Sequence, residues 1–581
     1  MHDRAHGPLP LASTDRLARV LLAMGLPLLV GCAGSAIRSQ SPEIEALSKL
    51  EAGTRLVGDY AVPAGMGMKR IERAALITGL ANTGSDPPPG PQRQTLLADM
   101  QARGVVDPNR LLAASSTSLA WVHGWLPPAV RKGDRFDVFV EVPPDNDTTS
   151  IAGGWLMETR LAEMAVLGNV IRDGHELGVT MGPLLVDPVA EGTRDSKSKL
   201  RARIPGGGVA LVDREIGLAL RPEHRSFAMS KRIGDWINRR FHAVVRGTKR
   251  GVATPKTDRY VALEVPTVYR HNIPRFMRVV QCVAVIEPPE GRHSRLQLLS
   301  RQLADPVTAP TAALRLEAMG KESVPVLRQA LDSKDATIRF VAAEALAYLG
   351  ESVAAPKLAE AATTLRSARP AALAALGVLD DAHGIDALRS LLSGQSAETR
   401  YGAFRALWRI DPEAPLVRGE RLGDACSMHM LDVKGPPLVH VTRSTRPEIV
   451  FFGTEHPLAD GLRAEAGPCI VVVVDGAAAR ISRFAAGESD RVVDAPATAD
   501  EVVRAIVEAG GTYPDAVQFL QQASARQALG SRLACDALPT EWDGRGDIHE
   551  EASQRARDIP ADDAGDSTAS ARDGAGADGS S

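Results

Sequence analysis

Few residues in this 581-residue chain are spaced for chemistry. Cys426 and His429 have ligand-like spacing, with His440 and Cys469 further on. A structural metal needs four such donors to converge, and ordinary buried or loop roles are the expected reading of these residues. Asp145-Asn146-Asp147 offers oxygen ligands, but the spaced ligands and terminal Glu of a calcium loop are missing, so a solvated turn is expected. Gly206-Gly207-Gly208 is followed by no Lys-Ser/Thr and is no phosphate loop. Neither G-x-S-x-G nor H-E-x-x-H occurs, and no nucleophile stands beside a base. No catalytic residue, metal or cofactor is assigned, and the chain does not read as an enzyme.

One cysteine is placed for modification. Residues 1–16 are polar and carry Arg4 and Arg16, and an apolar stretch follows from Val20 to Gly31. That stretch is too short to span about 30 Å of hydrocarbon as a helix, and its length suits the h-region of a signal peptide. Leu29-Val30-Gly31-Cys32 resembles a bacterial lipobox, which implies lipidation at Cys32, export, and a signal peptide covering 1–32. Ala33 follows rather than Asp, so the usual cue for inner-membrane retention is missing, and an outer-membrane anchor is expected. A plain secretory signal with an incidental cysteine is the alternative. Residues 33–54 then form a tether. The other cysteines, Cys282, Cys426, Cys469 and Cys535, could pair, but their wide spacing is no disulfide framework, and buried thiols are the plainer reading.

Composition bounds the rest. Aromatic residues are 4% of the chain, so cores must be built from Ala, Val and Leu. Net charge is −3, which gives no electrostatic support for binding nucleic acid. The length suggests about three or four domains.

The elements begin with residues 55–290. Leu76 to Trp155 holds short β-type runs separated by Gly-bearing turns around Gly79, Gly84, Gly133, Gly153 and Gly154. Asn82-Thr83-Gly84-Ser85-Asp86 is loop chemistry, and Gln94–Ala102 has helical spacing ended by Gly104. Leu119–His123 reads as a strand. Phe136 to Val142 alternates apolar and charged residues, as a half-buried strand does. Ile204 to Val212 looks like a turn entering a strand, Met229 to Phe241 a helix, and Tyr260 to Pro266 a strand. Arg275 to Val285 mixes helical and strand signals.

Six segments of this block, in order, resemble the flagellar basal-body P-ring protein family. Leu76 to Asp86 is similar to the family's G-L-V-x-G-L-x-G-T-G-D signature, with Ala75, Ile77 and Ala81-Asn82 departing from it. Leu126-Pro127-Pro128-Ala129 with Gly133, Asp137 and Val138 resembles L-P-P-F-A-x-x-G-x-x-I-D-V. Thr149 to Gly154 resembles A-x-S-L-x-G-G, and Arg203-Ile204-Pro205-Gly206-Gly207 resembles R-I-P-N-G. Arg232 to Asn238 resembles R-I-A-D-A-I-N, and Val265-Pro266 with Tyr269 resembles V-P-x-x-Y. The resemblance implies a β-rich structural protein without catalysis, forming a periplasmic ring around the flagellar rod. Implied partners are copies of itself, rod or L-ring proteins, and peptidoglycan. The family continues with a further β-rich segment, whereas this chain changes architecture near Ala304.

From 304 to 412 a motif recurs about every 30 residues. Arg339 to Leu346, Arg369 to Leu376 and Arg400 to Leu407 align, and Ala312, Leu316 and Met319 fit an earlier copy. Second helices are marked by Val326-Leu327, by Leu358, and by Leu388 with Leu391-Leu392. The pattern resembles HEAT-like repeats, which implies a solenoid that binds protein; a compact non-repetitive helical domain is the alternative. Residues 420–540 read as a small α+β domain. It has strands at Leu438–Thr442, Glu448–Gly453, Cys469–Gly476 and Ala479–Phe484. A helix follows behind a Thr498/Glu501 capping box, and another opens at Pro514. Residues 543–581 are Ala-, Gly-, Ser- and Asp-rich and should be disordered. The expected fold is multidomain α+β. The expected function is an envelope structural protein similar to the P-ring protein, with a repeat arm for partners. A non-flagellar lipoprotein adaptor reusing the module is the alternative.

Overall fold

The structure is a computed structural model that describes residues 54–167, 170–186, 196–245, 248–287, 291–485 and 487–536. Cys32 with its leader, the tether through residue 53 and the tail 543–581 lie outside the described residues. Arg55–Ile286 and the chain from Leu296 onward group as one compact unit. Glu287–Arg295 groups apart, with Arg295 Nη1 3.2 Å from Glu287 Oε1.

An antiparallel seven-stranded sheet leads the first part of the chain. Its order is Arg135–Glu141, Ser118–Leu126, Lys69–Thr78, Trp155–Leu167, Val170–Pro183, Arg201–Ala210 and Leu185–Val186. The first strand also pairs with Arg201–Ala210, which closes the sheet into a barrel. Alternation explains the filling: Phe136, Val138 and Val140 point inward with Ile71, Ile77, Val122 and Leu161. The bore is narrow. Cβ atoms on Gly124, Gly178 and Gly208 would lie 2.6, 2.8 and 2.4 Å from the Phe136 ring, so three strands leave out a side chain to seat one phenyl group.

Two details differ from the sequence pattern. Asp137 alternates outward yet is only 4% exposed, because later chain covers it. The Pro205-Gly206-Gly207 segment is a bulge inside one continuous strand rather than a turn entering it. The register jumps from Phe136↔Gly208 to Val138↔Ile204, and Gly206 takes φ +57°. Such a bulge bends the strand as barrel closure requires.

A second sheet, Ala253–Pro255, Tyr260–Leu263, Ile216–Leu220 and Ala61–Ala64, packs with the helix Phe227–Arg240 through Ile233 and Ile237. Ser226 caps that helix by accepting from Met229 N at 3.1 Å. The ambiguous stretch after Tyr269 resolves into the helix Ile273–Gln281, capped by Asn272, then the strand Ala284–Ile286.

Seven helices follow: Ala309–Met319, Val324–Ala330, Ala336–Tyr348, Ala355–Thr364, Arg369–Leu376, Ala382–Leu391 and Ala397–Ile410. Asp335, Asp381 and Ser396 cap three of them. Buried Ala312, Ala342, Ala345, Ala372 and Ala403 leave room for close helix approach, and Leu316, Leu346, Leu358 and Leu388 fill the space between.

The last part holds two sheets. One runs Glu420–Leu422, Cys426–Leu431, Glu448–Phe452, Leu438–Val441 and Arg532–Cys535, with two parallel pairings. The other is an antiparallel meander of Arg463–Ala466, Ile470–Asp475, Ala478–Arg483 and Arg491–Pro496, turning at Gly476. Helices Ala499–Glu508 and Tyr513–Ala525 bury Val502, Ile506, Phe519 and Leu520 against the sheets. The capping box sits one helix later than the sequence pattern places it. Thr498 makes no side-chain cap bond, whereas Asp515 Oδ2 accepts from both Thr512 N at 2.7 Å and Thr512 Oγ1 at 2.8 Å.

Candidate functional site at the junctions

The polar chemistry of the described residues concentrates where the barrel region, the helices and the last sheets meet. Each junction is built from ionised side chains buried among apolar ones.

At the first junction Glu317, 0% exposed, projects from Ala309–Met319, the first helix in the array of seven, toward Tyr269 and Arg275. Tyr269 OH donates to its Oε1 at 2.6 Å, and Arg275 Nε donates to Oε2 at 3.1 Å. Arg275 Nη1 also reaches Glu344 Oε1 at 2.6 Å. Arg240 donates to the Glu317 carbonyl through Nε and Nη2, at 3.1 and 2.9 Å. The Tyr269 and Tyr348 rings stack 4.9 Å apart, and Asn272 Nδ2 donates to Tyr348 OH at 3.0 Å. Burial alone would depress the Arg275 guanidinium, but the Glu317 and Glu344 carboxylates outweigh it and hold its pKa raised.

The second junction centres on Glu448, 1% exposed, at the start of a central strand. Tyr401 OH donates to it at 2.8 Å and Arg405 Nη1 at 2.9 Å, both from the last array helix. The His429 ring lies 3.6 Å from the same carboxylate and bonds the Val417 carbonyl at 2.8 Å. His440 stacks on Tyr401 with centroids 3.7 Å apart, and burial pushes its pKa down to about 3. Arg400 donates to the Leu392 and Pro436 carbonyls at 2.7 and 2.6 Å, tying helix to sheet again.

The third junction joins the barrel to the same late segment. Asp137 Oδ1 accepts from Gly206 N at 2.9 Å and from Thr445 N at 2.6 Å. A side chain at Gly206 would bring its Cβ within 2.4 Å of the Thr445 carbonyl. At Gly153 the Cβ would lie 2.6 Å from Pro468. The loop 442–447 therefore meets both neighbours. Thr445 reaches the barrel, and Arg446 lies over Trp408 of the array.

The residues singled out from sequence fall into three groups. Gly79, with φ +77°, ends the first barrel strand beside Gly153, while Gly84 N donates to Ser115 O at 2.8 Å. Gly154 packs on Ile77 and Leu80. Pro127, Pro128 and Gly133 form the turns between two strands. Arg214 Nη1 donates to Pro127 O at 2.9 Å, and Gly133 N donates to Ala210 O at 2.8 Å. Asp137 and Pro205 share the bulge, whereas Asp86 stands apart in an exposed pair with Arg93.

The four metal-like candidates do not converge. His429 and His440 are engaged as above. Cys469 lies in a crevice with Gly153 and Pro468, and burial pushes the Cys426 thiol up to about 12. Cys282, Cys426, Cys469 and Cys535 are thiols rather than disulfides; Cys426 is buried, Cys535 exposed, and the other two intermediate. Among the described residues no group of three His, Cys, Asp or Glu could hold a metal ion. Among them also, no helix is long and apolar enough to cross a membrane. Sequence reading passed over Glu317, Glu344, Arg275, Arg405 and Glu448. The available signal was a charge on an apolar face, since Glu317 lies four residues after the buried Ala313.

Fold and junctions together define a class: a β-barrel fused to helices and further sheets through buried ion networks. The comparisons narrow it. Residues 59–293 match the family model described as Flagellar P-ring protein. A Flagellar P-ring protein of Geobacter metallireducens is 26% identical over 227 residues, which cover 37% of this chain and 56% of that protein. The chain thus spans little more than half of that relative's length. The resemblance carried by the six motifs therefore holds over residues 59–293. A solved structure of the complex of CpcE and CpcF of phycocyanin lyase from Nostoc sp. PCC7120 matches at 22% identity. That match covers 22% of this chain and 84% of that one, with a TM-score of 0.19, too low to relate the folds.

Proposed function

We propose that this protein is a structural, non-catalytic component of the bacterial cell envelope similar to the flagellar P-ring protein. The observation that carries the reading is the P-ring match over residues 59–293, which contains the closed barrel. On this reading residues 55–290 are the P-ring-like domain, 304–412 a HEAT-like array that docks proteins, and 420–540 a third domain. Residues 1–32 direct export, Cys32 is lipidated, 33–54 tether the protein to the outer membrane in the periplasm, and 543–581 form a disordered tail. Gly79, Gly84, Asp86, Pro127, Pro128, Gly133, Asp137, Gly153, Gly154 and Pro205 serve the barrel's turns and contacts. Partners are further copies of the chain, rod or L-ring proteins and peptidoglycan.

One observation favours a second reading, an adaptor that reuses the module outside a flagellum. The signature positions Asp137, Gly206 and Gly153 are covered by Thr445 and Pro468 of the same chain. Gene deletion with motility assays and imaging of purified basal bodies separates the two. Loss of the ring and of swimming is expected for the P-ring-like role; normal swimming with intact rings would leave the adaptor. Cys32→Ser should release the protein from membranes, and unchanged attachment would refute lipidation.

A further inference from the structure

A groove of about 1170 Å³ runs between the helical array and the strand Arg532–Cys535. Small-molecule pockets occupy about 300–1000 Å³, so a chain segment suits this one better. The strand is the last of its sheet and pairs on one side only, with Leu438–Val441. Across that pairing Arg532 N and Asp536 N donate to the Pro437 and Val441 carbonyls, at 3.2 and 3.1 Å. Ala534 and Cys535 are neighbours on the strand, so their side chains point to opposite faces, yet both line the groove. The groove therefore meets the strand edge-on. Among the described residues no strand lies along that edge, and an open edge is a template for an extended segment.

The opposite wall is positive. Helices Arg369–Leu376 and Ala397–Ile410 both begin at the groove, and helix starts carry partial positive charge. Arg366, Arg369 and Arg532 line it against Glu398 and Asp536. Both acids are engaged. Glu398 pairs with Arg369, and Asp536 Oδ1 accepts from Arg443 N at 2.8 Å and Ser444 Oγ at 3.2 Å. Arg366 and Arg532 are exposed and make no ion pair among the described residues. Two guanidinium charges are thus left to an occupant.

A segment of matching charge starts at the groove itself. Asp536 lines it, and residues 537–581 follow with eleven Asp and Glu against four Arg. Asp558, Asp562, Asp563 and Asp566 fall within nine residues of one another. A sequence so poor in large apolar residues builds no core of its own, so charge is what a surface has to hold it by. We propose that the acidic segment after Asp536 folds back into this groove, setting its carboxylates on Arg366 and Arg532 and covering the open strand edge of its own chain. The inference is independent of the flagellar reading.

Carbodiimide coupling of the full chain tests this, because the reagent joins an amine to a carboxylate only where the two touch. No lysine lines the groove, so Arg366→Lys and Arg532→Lys each supply an amine and keep the charge. Mass spectrometry should find these amines joined to acids between Glu541 and Asp578. Lys321 and Lys334, exposed elsewhere on the array, should stay unjoined to that segment. In a mixture of heavy- and light-isotope protein, both joined peptides should come from one chain. Raising salt from 0.1 to 1 M shortens the Debye length from about 10 to about 3 Å and should cut the yield about fivefold. Cys535 is exposed and lines the groove, which gives a second readout. Asp562→Asn, Asp563→Asn and Asp566→Asn combined should speed its alkylation several-fold. Absence of links to the groove, equal linkage to Lys321 and Lys334, or links that join two chains would each overturn the proposal. So would one rate of Cys535 alkylation in the wild type and the triple variant.

Discussion

Glu317 shows what a single buried charge does here. It has no access to water, so its carboxylate depends wholly on Arg275, Tyr269 and their neighbours. Removing one partner of such a pair strands the other in a low-dielectric interior, which costs about 3–5 kcal/mol. Glu344 still faces Arg275 after the change, so Glu317→Ala should fall at the low end, about 3 kcal/mol in urea unfolding. Tyr269→Phe, which deletes one bond to a charged acceptor, should cost about 1.5–3 kcal/mol. A loss under about 1 kcal/mol for Glu317→Ala would place the pair in the range of ordinary surface changes. His440 makes a second residue-scale prediction. Its folded pKa is about 3 against 6.5 for the free side chain, so below pH 6.5 the unfolded chain takes up a proton that the folded chain refuses. The stability this contributes is fully present above pH 6.5 and is lost on acidification toward pH 3. The slope is about 1.4 kcal/mol per pH unit from this ring. His440→Phe keeps an aromatic ring against Tyr401 but cannot titrate. Its stability should fall about 1.4 kcal/mol less per pH unit between pH 6 and 5, measured by urea melts at each pH. Identical slopes would mean that His440 titrates normally.

At the scale of elements, strands and helices were legible where local periodicity decides them. Phe136–Val142 alternates because one face fills a barrel, and the Arg-Ala-Ala-Leu recurrences fall on the helices Ala336–Tyr348, Arg369–Leu376 and Ala397–Ile410. What local pattern could not show was set by distant chain. Asp137 reads as a solvated charge because its cover, Thr445, is 308 residues away. The Gly206 bulge reads as a turn because glycine serves both, and only the pairing with Phe136 and Val138 tells them apart. The caps make the same distinction testable. Thr498 and Thr512 both precede helices with an acidic residue in the first turn, yet only Thr512 bonds its partner, with Thr512 Oγ1 2.8 Å and Thr512 N 2.7 Å from Asp515 Oδ2. Thr512→Ala should therefore cost about 1 kcal/mol, and Thr498→Ala under about 0.5 kcal/mol. Chemical denaturation of the two variants side by side checks the order; equal losses would mean the capping box contributes nothing.

For the whole molecule, the loop 442–447 matters more than its length suggests, because three separate parts of the chain meet on it. Thr445 holds the barrel through Asp137, Arg446 lies on Trp408, and Glu448 just beyond takes Tyr401 and Arg405 of the array. Thr442 adds the last helix, accepting from Tyr513 OH at its carbonyl at 2.5 Å. These contacts share one short backbone, so they should fail together rather than additively. Glu448→Ala leaves Arg405 buried without its carboxylate, a loss of about 3–5 kcal/mol. That loss should loosen the loop from the barrel as well as from the array, since Glu448 also positions the strand that starts there. A trypsin-class protease should then cut after Arg443 in the variant while sparing that bond in the wild type, as read by mass spectrometry of early fragments; the Arg446–Pro447 bond resists such enzymes in both. Glu448→Gln, which keeps an acceptor for Tyr401 and Arg405, should lie between the two. If cleavage in Glu448→Ala stays at the same sites and rate as in the wild type, the barrel contact at Asp137 holds the loop by itself, and the three junctions are independent.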